Sequence, residues 1–193
     1  MRRLVFPVVL AMLLVACSGR ELTGFVRQPT PSVAGTSLPD VGDGGASFEF
    51  KADDGHVLLV YFGYTACPDV CPTTLADTRT ALARIGNDAE WVEFAMATVD
   101  PMRDSEDVIT GYVHGFIPDG HALRTEDDEA LLAAAEAFGA TYSVDPDVDG
   151  EYVVTHTASL YAVDDQGNLL VTWPFGTSID DLTGDLEILL DRA

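Results

Sequence analysis

The sequence predicts an α/β domain in which helices layer a central sheet, and three observations carry that prediction. The run Val57-Leu58-Leu59-Val60-Tyr61-Phe62 is aliphatic and aromatic without a polar interruption, as a strand buried on both faces requires. Trp91 to Val99 reads as a second buried strand and closes on Asp100-Pro101. Segments of helical spacing alternate with further strands, with hairpin signals near the start and the end, which is the pattern of a sheet layered by helices. With 193 residues, 47% of them hydrophobic, the chain can build one core and needs no second domain. It contains no internal repeat and no low-complexity segment.

Met1 to Ala16 carries Arg2 and Arg3 and then an apolar segment from Leu4 to Val15, shorter than the roughly 20 residues of a membrane-spanning helix. It reads as an export signal. Leu14-Val15-Ala16-Cys17 resembles the bacterial lipobox, so the expectation is a lipoprotein signal at 1–16, a lipid on Cys17, a flexible tether over 17–38 and a folded domain over 39–193. The domain would then be exported and anchored on the extracytoplasmic side of a bacterial membrane. Removing residues 1–16 takes away two arginines and no acid, so the formal charge goes from −22 to −24. Such a surface repels nucleic acid and anionic lipid headgroups and suits cationic partners or metal ions. With Cys17 assigned to the lipid, one pair of cysteines remains in a compartment where a disulfide can form and persist.

The elements follow in order. Pro29 and Pro31 break the tether. Ser47 to Lys51 alternates like a half-exposed strand, and Ala52 to His56 supplies a turn into the central strand, a predicted N-terminal β-hairpin. Leu75, Ala81, Leu82 and Ile85 give helical spacing until Gly86-Asn87. A second helix runs from Asp104 to about Phe116, with Asp104 or Ser105 as its cap and Val108, Ile109, Tyr112 and Val113 as its apolar face. A short strand at Ala122 to Arg124 precedes a helix from Glu126 to Phe138 capped by Thr125. Tyr142 to Asp145 and Tyr152 to Val154 form the arms of a hairpin around Pro146 to Gly150. Ser159 to Val163 and Leu169 to Trp173 flank a strong turn at Asp164 to Asn168. The last helix covers about Ile179 to Leu190.

Chemistry gathers where the central strand ends. Gly63 and Thr65 terminate it, and Cys67-Pro68-Asp69-Val70-Cys71-Pro72 follows, with Pro72 fit for the first turn of a helix. The thiols then stand at a helix N-terminus, where the macrodipole favours thiolate. Three residues separate them, one more than in the common dithiol oxidoreductase spacing. Such a loop can close into a disulfide or hold a metal between its sulfurs. Two thiolates suit Cu(I), and an added imidazole makes a site that also accepts Cu(II). His56, His114 and His121 read as solvated or packed residues. His156, in Val153-Val154-Thr155-His156-Thr157 just before a predicted strand, is either a half-buried histidine satisfied by its neighbours or the missing ligand.

Phe62-Gly63-Tyr64-Thr65-Ala66-Cys67-Pro68-Asp69-Val70-Cys71-Pro72 resembles the signature of the Sco/SenC family of copper chaperones. Val99 to Ser105 resembles the family's second motif, and Thr155-His156-Thr157 with Leu160-Tyr161 its third. The likeness runs from about Leu38 to the C-terminus. It implies a thioredoxin-like fold with a central mixed sheet flanked by helices and a histidine-bearing hairpin, copper ligands at Cys67, Cys71 and His156, and a group near the site at Asp100. It also implies a metallochaperone rather than an enzyme, acting as a monomer. Its acceptor would be the binuclear copper centre of cytochrome c oxidase subunit II, supplied with copper or kept reduced for it. Thr155 stands where the family carries an acid, His121 to Thr125 where it carries a glycine-rich loop, and Met102 where it is polar. Two other readings remain on the residues. One is a membrane-anchored thiol-disulfide oxidoreductase using Cys67 and Cys71, and the other a lipoprotein whose disulfide only staples the loop.

Overall fold

The computed structural model describes residues 20–146 and 152–193. Cys17, with the whole predicted signal, and most of the turn at Pro146 to Gly150 lie outside the described residues. Among these residues nine strands and four α-helices follow in the order β1 (Ser37–Asp40), β2 (Ala46–Glu49), β3 (Val57–Gly63), α1 (Val70–Ile85), β4 (Val92–Thr98), α2 (Glu106–Phe116), β5 (His121–Leu123), α3 (Asp128–Phe138), β6 (Tyr142–Pro146), β7 (Tyr152–His156), β8 (Ser159–Val163), β9 (Leu169–Pro174) and α4 (Ile179–Leu190). Seven strands make one mixed sheet in the order β2-β1-β5-β4-β3-β8-β9, and β6 and β7 form a separate ribbon. Strands β3, β4 and β5 run parallel, while β8 is antiparallel to β3.

All seven residues of β3 are buried, because the strand is central and both its faces are covered. The pleat sends successive side chains to opposite layers. Phe62 goes to one side, where its ring meets Phe138 of α3 and Tyr161 of β8. Tyr61 goes to the other, toward Cys71 of α1. Helix α4 lies beside α1, and its buried Asp185 accepts a hydrogen bond from Trp173 Nε1 of β9 at 2.7 Å.

Several elements differ from the sequence reading, each for a local reason. The N-terminal hairpin pairs β2 with β1, not with β3, at the far edge of the sheet. Its turn is set by Asp40, whose carboxylate accepts from Gly42 N, and by Gly44 and Gly45 at positive φ. Asp127, not Thr125, caps α3, accepting from Glu129 N and Ala130 N. Trp91 stands outside β4 and is exposed, as is Val108 on α2. His156 is the last residue of β7 rather than a residue between strands. Leu38 lies within β1.

The reading of 17–38 as a free tether does not hold from residue 20 onward. Val33 is in the core, Phe25 and Ser32 bridge to Thr172 and Asn168 of the β9 region, and Asp185 binds Thr23 and Gly24. Three donors from that segment and the Trp173 indole satisfy this buried carboxylate, so the strap and α4 need each other. Asp185→Ala should therefore destabilise the chain by about 3 kcal/mol in denaturant unfolding, because it orphans the indole N–H and the strap amides together; a change below about 0.5 kcal/mol would contradict this role.

Candidate metal centre

The site forms where β3 ends. Gly63 is the last residue of the strand and leaves no room for a side chain: a Cβ there would lie 2.6 Å from Tyr61 Cε1 and 3.1 Å from Cys71 Sγ. Val99 N donates to Gly63 O at 2.8 Å, tying the end of β3 to the end of β4. The loop that follows hangs on Asp104. This fully buried carboxylate accepts from Thr65 N at 3.0 Å, from Thr65 Oγ1, and from Thr98 Oγ1 at 2.6 Å. The sequence offers Asp104 or Ser105 as the cap of α2. The structure places Ser105 at the cap of α2 and turns Asp104 inward, where it fixes the approach to Cys67. Thr98, which ends β4, and Thr65, in the loop after β3, were the available signal for a buried acceptor between them.

Helix α1 begins at Val70, so Cys71 and Pro72 both lie in its first turn and the missing N–H of Pro72 leaves no helical partner unpaired. Cys71 is fully buried, Cys67 precedes the helix and is partly exposed, and both are free thiols. Cys71 N donates to Cys67 Sγ at 3.3 Å. The expectation that the helix N-terminus favours thiolate fails at Cys71, whose thiol burial pushes up to about 12. A helix terminus contributes at most about 2 kcal/mol, and desolvation of a fully buried thiolate outweighs it.

His156 comes to the same point from 85 residues further on, its Nε2 3.4 Å from Cys71 Sγ. Its Nδ1 lies 3.2 Å from Thr157 O, and since a carbonyl only accepts, Nδ1 carries the proton and Nε2 keeps its lone pair toward the sulfurs. The ring edges meet Tyr61 and Tyr64 near right angles. Burial lowers the pKa of His156, which keeps the imidazole neutral and able to ligate. One ligand atom from each of Cys67, Cys71 and His156 lies within 4.8 Å of the others, the only such cluster among the described residues.

The other sequence candidates stand elsewhere. His56 packs on Trp91, His114 faces Gly120 O, and His121 pairs with Asp40 at 2.7 Å. Met102 is 87% exposed and outside the cluster. Asp100 is buried, as a group near the site should be, but its carboxylate is engaged by Arg103 and Tyr152 rather than by a cysteine or His156.

Fold and site together define a thioredoxin-like protein with a two-sulfur, one-imidazole site of the kind that suits a soft metal ion. The chain belongs to the SCO1/SenC family, whose model matches residues 41–191. A solution structure of apo Sco1 from Thermus thermophilus shares 30% identity and a TM-score of 0.74, covering 89% of this chain and 99% of that one. Bradyrhizobium japonicum ScoI, solved with copper bound, is 29% identical with a TM-score of 0.68, covering 81% and 98%. Among curated relatives, a Stutzerimonas stutzeri protein named for copper binding is 31% identical over 156 residues, 80% of this chain and 75% of its own length. The mitochondrial SCO1 homolog of Homo sapiens is 34% identical over 119 residues, which are 60% of this chain but 39% of the human protein. Among the described residues no helix is long and apolar enough to cross a membrane.

The packing at Gly63 yields a direct check on this geometry. Gly63→Ala forces Tyr61 or Cys71 Sγ to move and should cost about 1–3 kcal/mol of stability, read by thermal unfolding; a variant as stable as the parent would show that the sulfur is not held where the structure puts it.

Proposed function

We propose that this chain binds copper through Cys67, Cys71 and His156 and carries it to a membrane-bound acceptor, the binuclear copper centre of cytochrome c oxidase subunit II. The convergence of three soft and borderline donors within 4.8 Å, from residues 85 apart in sequence, carries the reading. The copper-bound relative at 29% identity supports it, and the three ordered motifs support the oxidase as destination. The reduced dithiol takes Cu(I), His156 completes a site for Cu(II), and the ion leaves by ligand exchange through the partly exposed Cys67. Export, a lipid on Cys17 and a position beside the acceptor's membrane belong to the same proposal. So does action as a monomer.

A second reading has one observation in its favour, the accessibility of Cys67. As a reductase, the Cys67 thiolate would attack a partner disulfide and form a mixed disulfide. Cys71 would then displace the partner's sulfur, closing the Cys67–Cys71 disulfide and passing two electrons to the partner as a dithiol. A Cys71 thiol held near 12 gives up its proton poorly for that second step, whereas a bound cation supplies the charge that burial withholds. The burial of Cys71 therefore favours metal transfer.

Two outcomes test the proposal. His156→Ala should lower Cu(II) affinity at least about tenfold and alter the sulfur-to-copper charge-transfer band, while reduction of a disulfide substrate persists; unchanged Cu(II) affinity and spectrum would remove His156 from the ligand set. Because burial keeps Cys71 a thiol near neutral pH, copper must displace at least that proton, so apparent affinity should rise at least about tenfold per pH unit between about pH 7 and 9. Competition titration with a chelator corrected for its own protonation reads this slope, and a flat profile would contradict ligation by Cys71.

A further inference from the structure

Among the described residues the ribbon that delivers His156 has no ladder to the main sheet, and β6 and β7 pair with each other. Something else must hold it in register with Cys71. On β7 the residues Tyr152, Val154 and His156 point to one side. Tyr152 Oη donates to Asp100 Oδ1 at 2.8 Å, and Arg103 Nε pairs with the second oxygen of the same carboxylate. The Arg103 guanidinium lies 4.3 Å from the centroid of the Tyr152 ring and 5.6 Å from that of Tyr64. Tyr64 Oη in turn donates to Val154 O at 3.4 Å, and its ring meets the His156 imidazole edge to face at 5.7 Å. Asp100 is 1% exposed, so lifting the ribbon would strip a buried carboxylate of a charge-assisted partner.

We propose that Tyr152 and Arg103 are positioning residues for the third ligand: docked on the Asp100 carboxylate, they hold β7 so that His156 Nε2 stands beside Cys71 Sγ, and they thereby set the preference for three-ligand over two-sulfur binding of copper. This rests on the copper reading above. It assigns to Asp100 a definite task, that of a fixed post to which the histidine arm is moored.

The test uses the full chain and two variants. Tyr152→Phe keeps the ring beside Arg103 and removes only the hydroxyl; Arg103→Met removes the ion pair. In the metal-free protein, amide hydrogen exchange at Val153 to His156 should quicken at least about tenfold in either variant while β3 amides exchange as in the parent. Parent-like exchange at those four residues in Tyr152→Phe would overturn the mooring whether or not copper binds. With copper, Tyr152→Phe should lose about tenfold in Cu(II) affinity and shift the charge-transfer band, with Cu(I) affinity within about threefold of the parent. If His156→Ala loses Cu(II) binding and Tyr152→Phe keeps both affinity and band, the positioning role falls and the ligand assignment stands. Equal losses of Cu(I) and Cu(II) in Tyr152→Phe would also overturn it, since they mark a general loosening of the fold.

Discussion

The site depends on where β3 stops. A strand hydrogen-bonded on both edges and buried at all seven residues cannot slip by one position without sending its aromatic rings into the wrong layers. Its register fixes Tyr61 against α1 and Phe62 against α3, and therefore fixes Gly63 as the place where the Cys71 sulfur can approach the backbone. The parallel neighbour β4 ends at Thr98, and that strand end and the loop after β3 jointly hold Asp104. One buried carboxylate thus sets the start of the cysteine loop, and a second, Asp100, meets the ribbon that carries the histidine.

The electrostatics of the centre follow from the same burial. Desolvation raises the Cys71 thiol and lowers His156, so without a cation both groups are neutral near pH 7. Such a pair is comfortable as a thiol facing an imidazole lone pair, and it becomes a ligand pair when a metal ion replaces the proton. Cys67 lies nearer to solvent than Cys71. The macrodipole of α1 works in the direction expected of it, but its contribution is too small to make Cys71 a standing thiolate.

Much of this was legible in the sequence because the signals were local. The unbroken apolar run of β3, the glycine that ends α1 and the Cys67-to-Pro72 stretch each report a structural fact through neighbours within a few residues. What escaped reading was non-local. Asp104 has the composition of a helix cap, and only the spatial meeting of Thr65 and Thr98 shows it to be an internal acceptor. The segment from Arg20 to Val33 lacks any period because it docks through scattered contacts to Asp185, Thr172 and Asn168 rather than through an amphipathic face. Ser47 to Lys51 reads as a strand, but its partner, β1, straddles the expected boundary between tether and domain, with Ser37 and Leu38 on the tether side. His156 could be weighed as a ligand but not located, since its distance from Cys71 is set by the mooring of a ribbon and not by spacing along the chain.

The central claim is that two sulfurs and one imidazole bind the same copper ion. X-ray absorption at the copper edge of the loaded Cu(II) protein measures that directly. The account predicts an inner shell containing two sulfur scatterers together with the outer-shell multiple scattering of a single imidazole. A shell with one sulfur or none, or one without the imidazole signature, would contradict it.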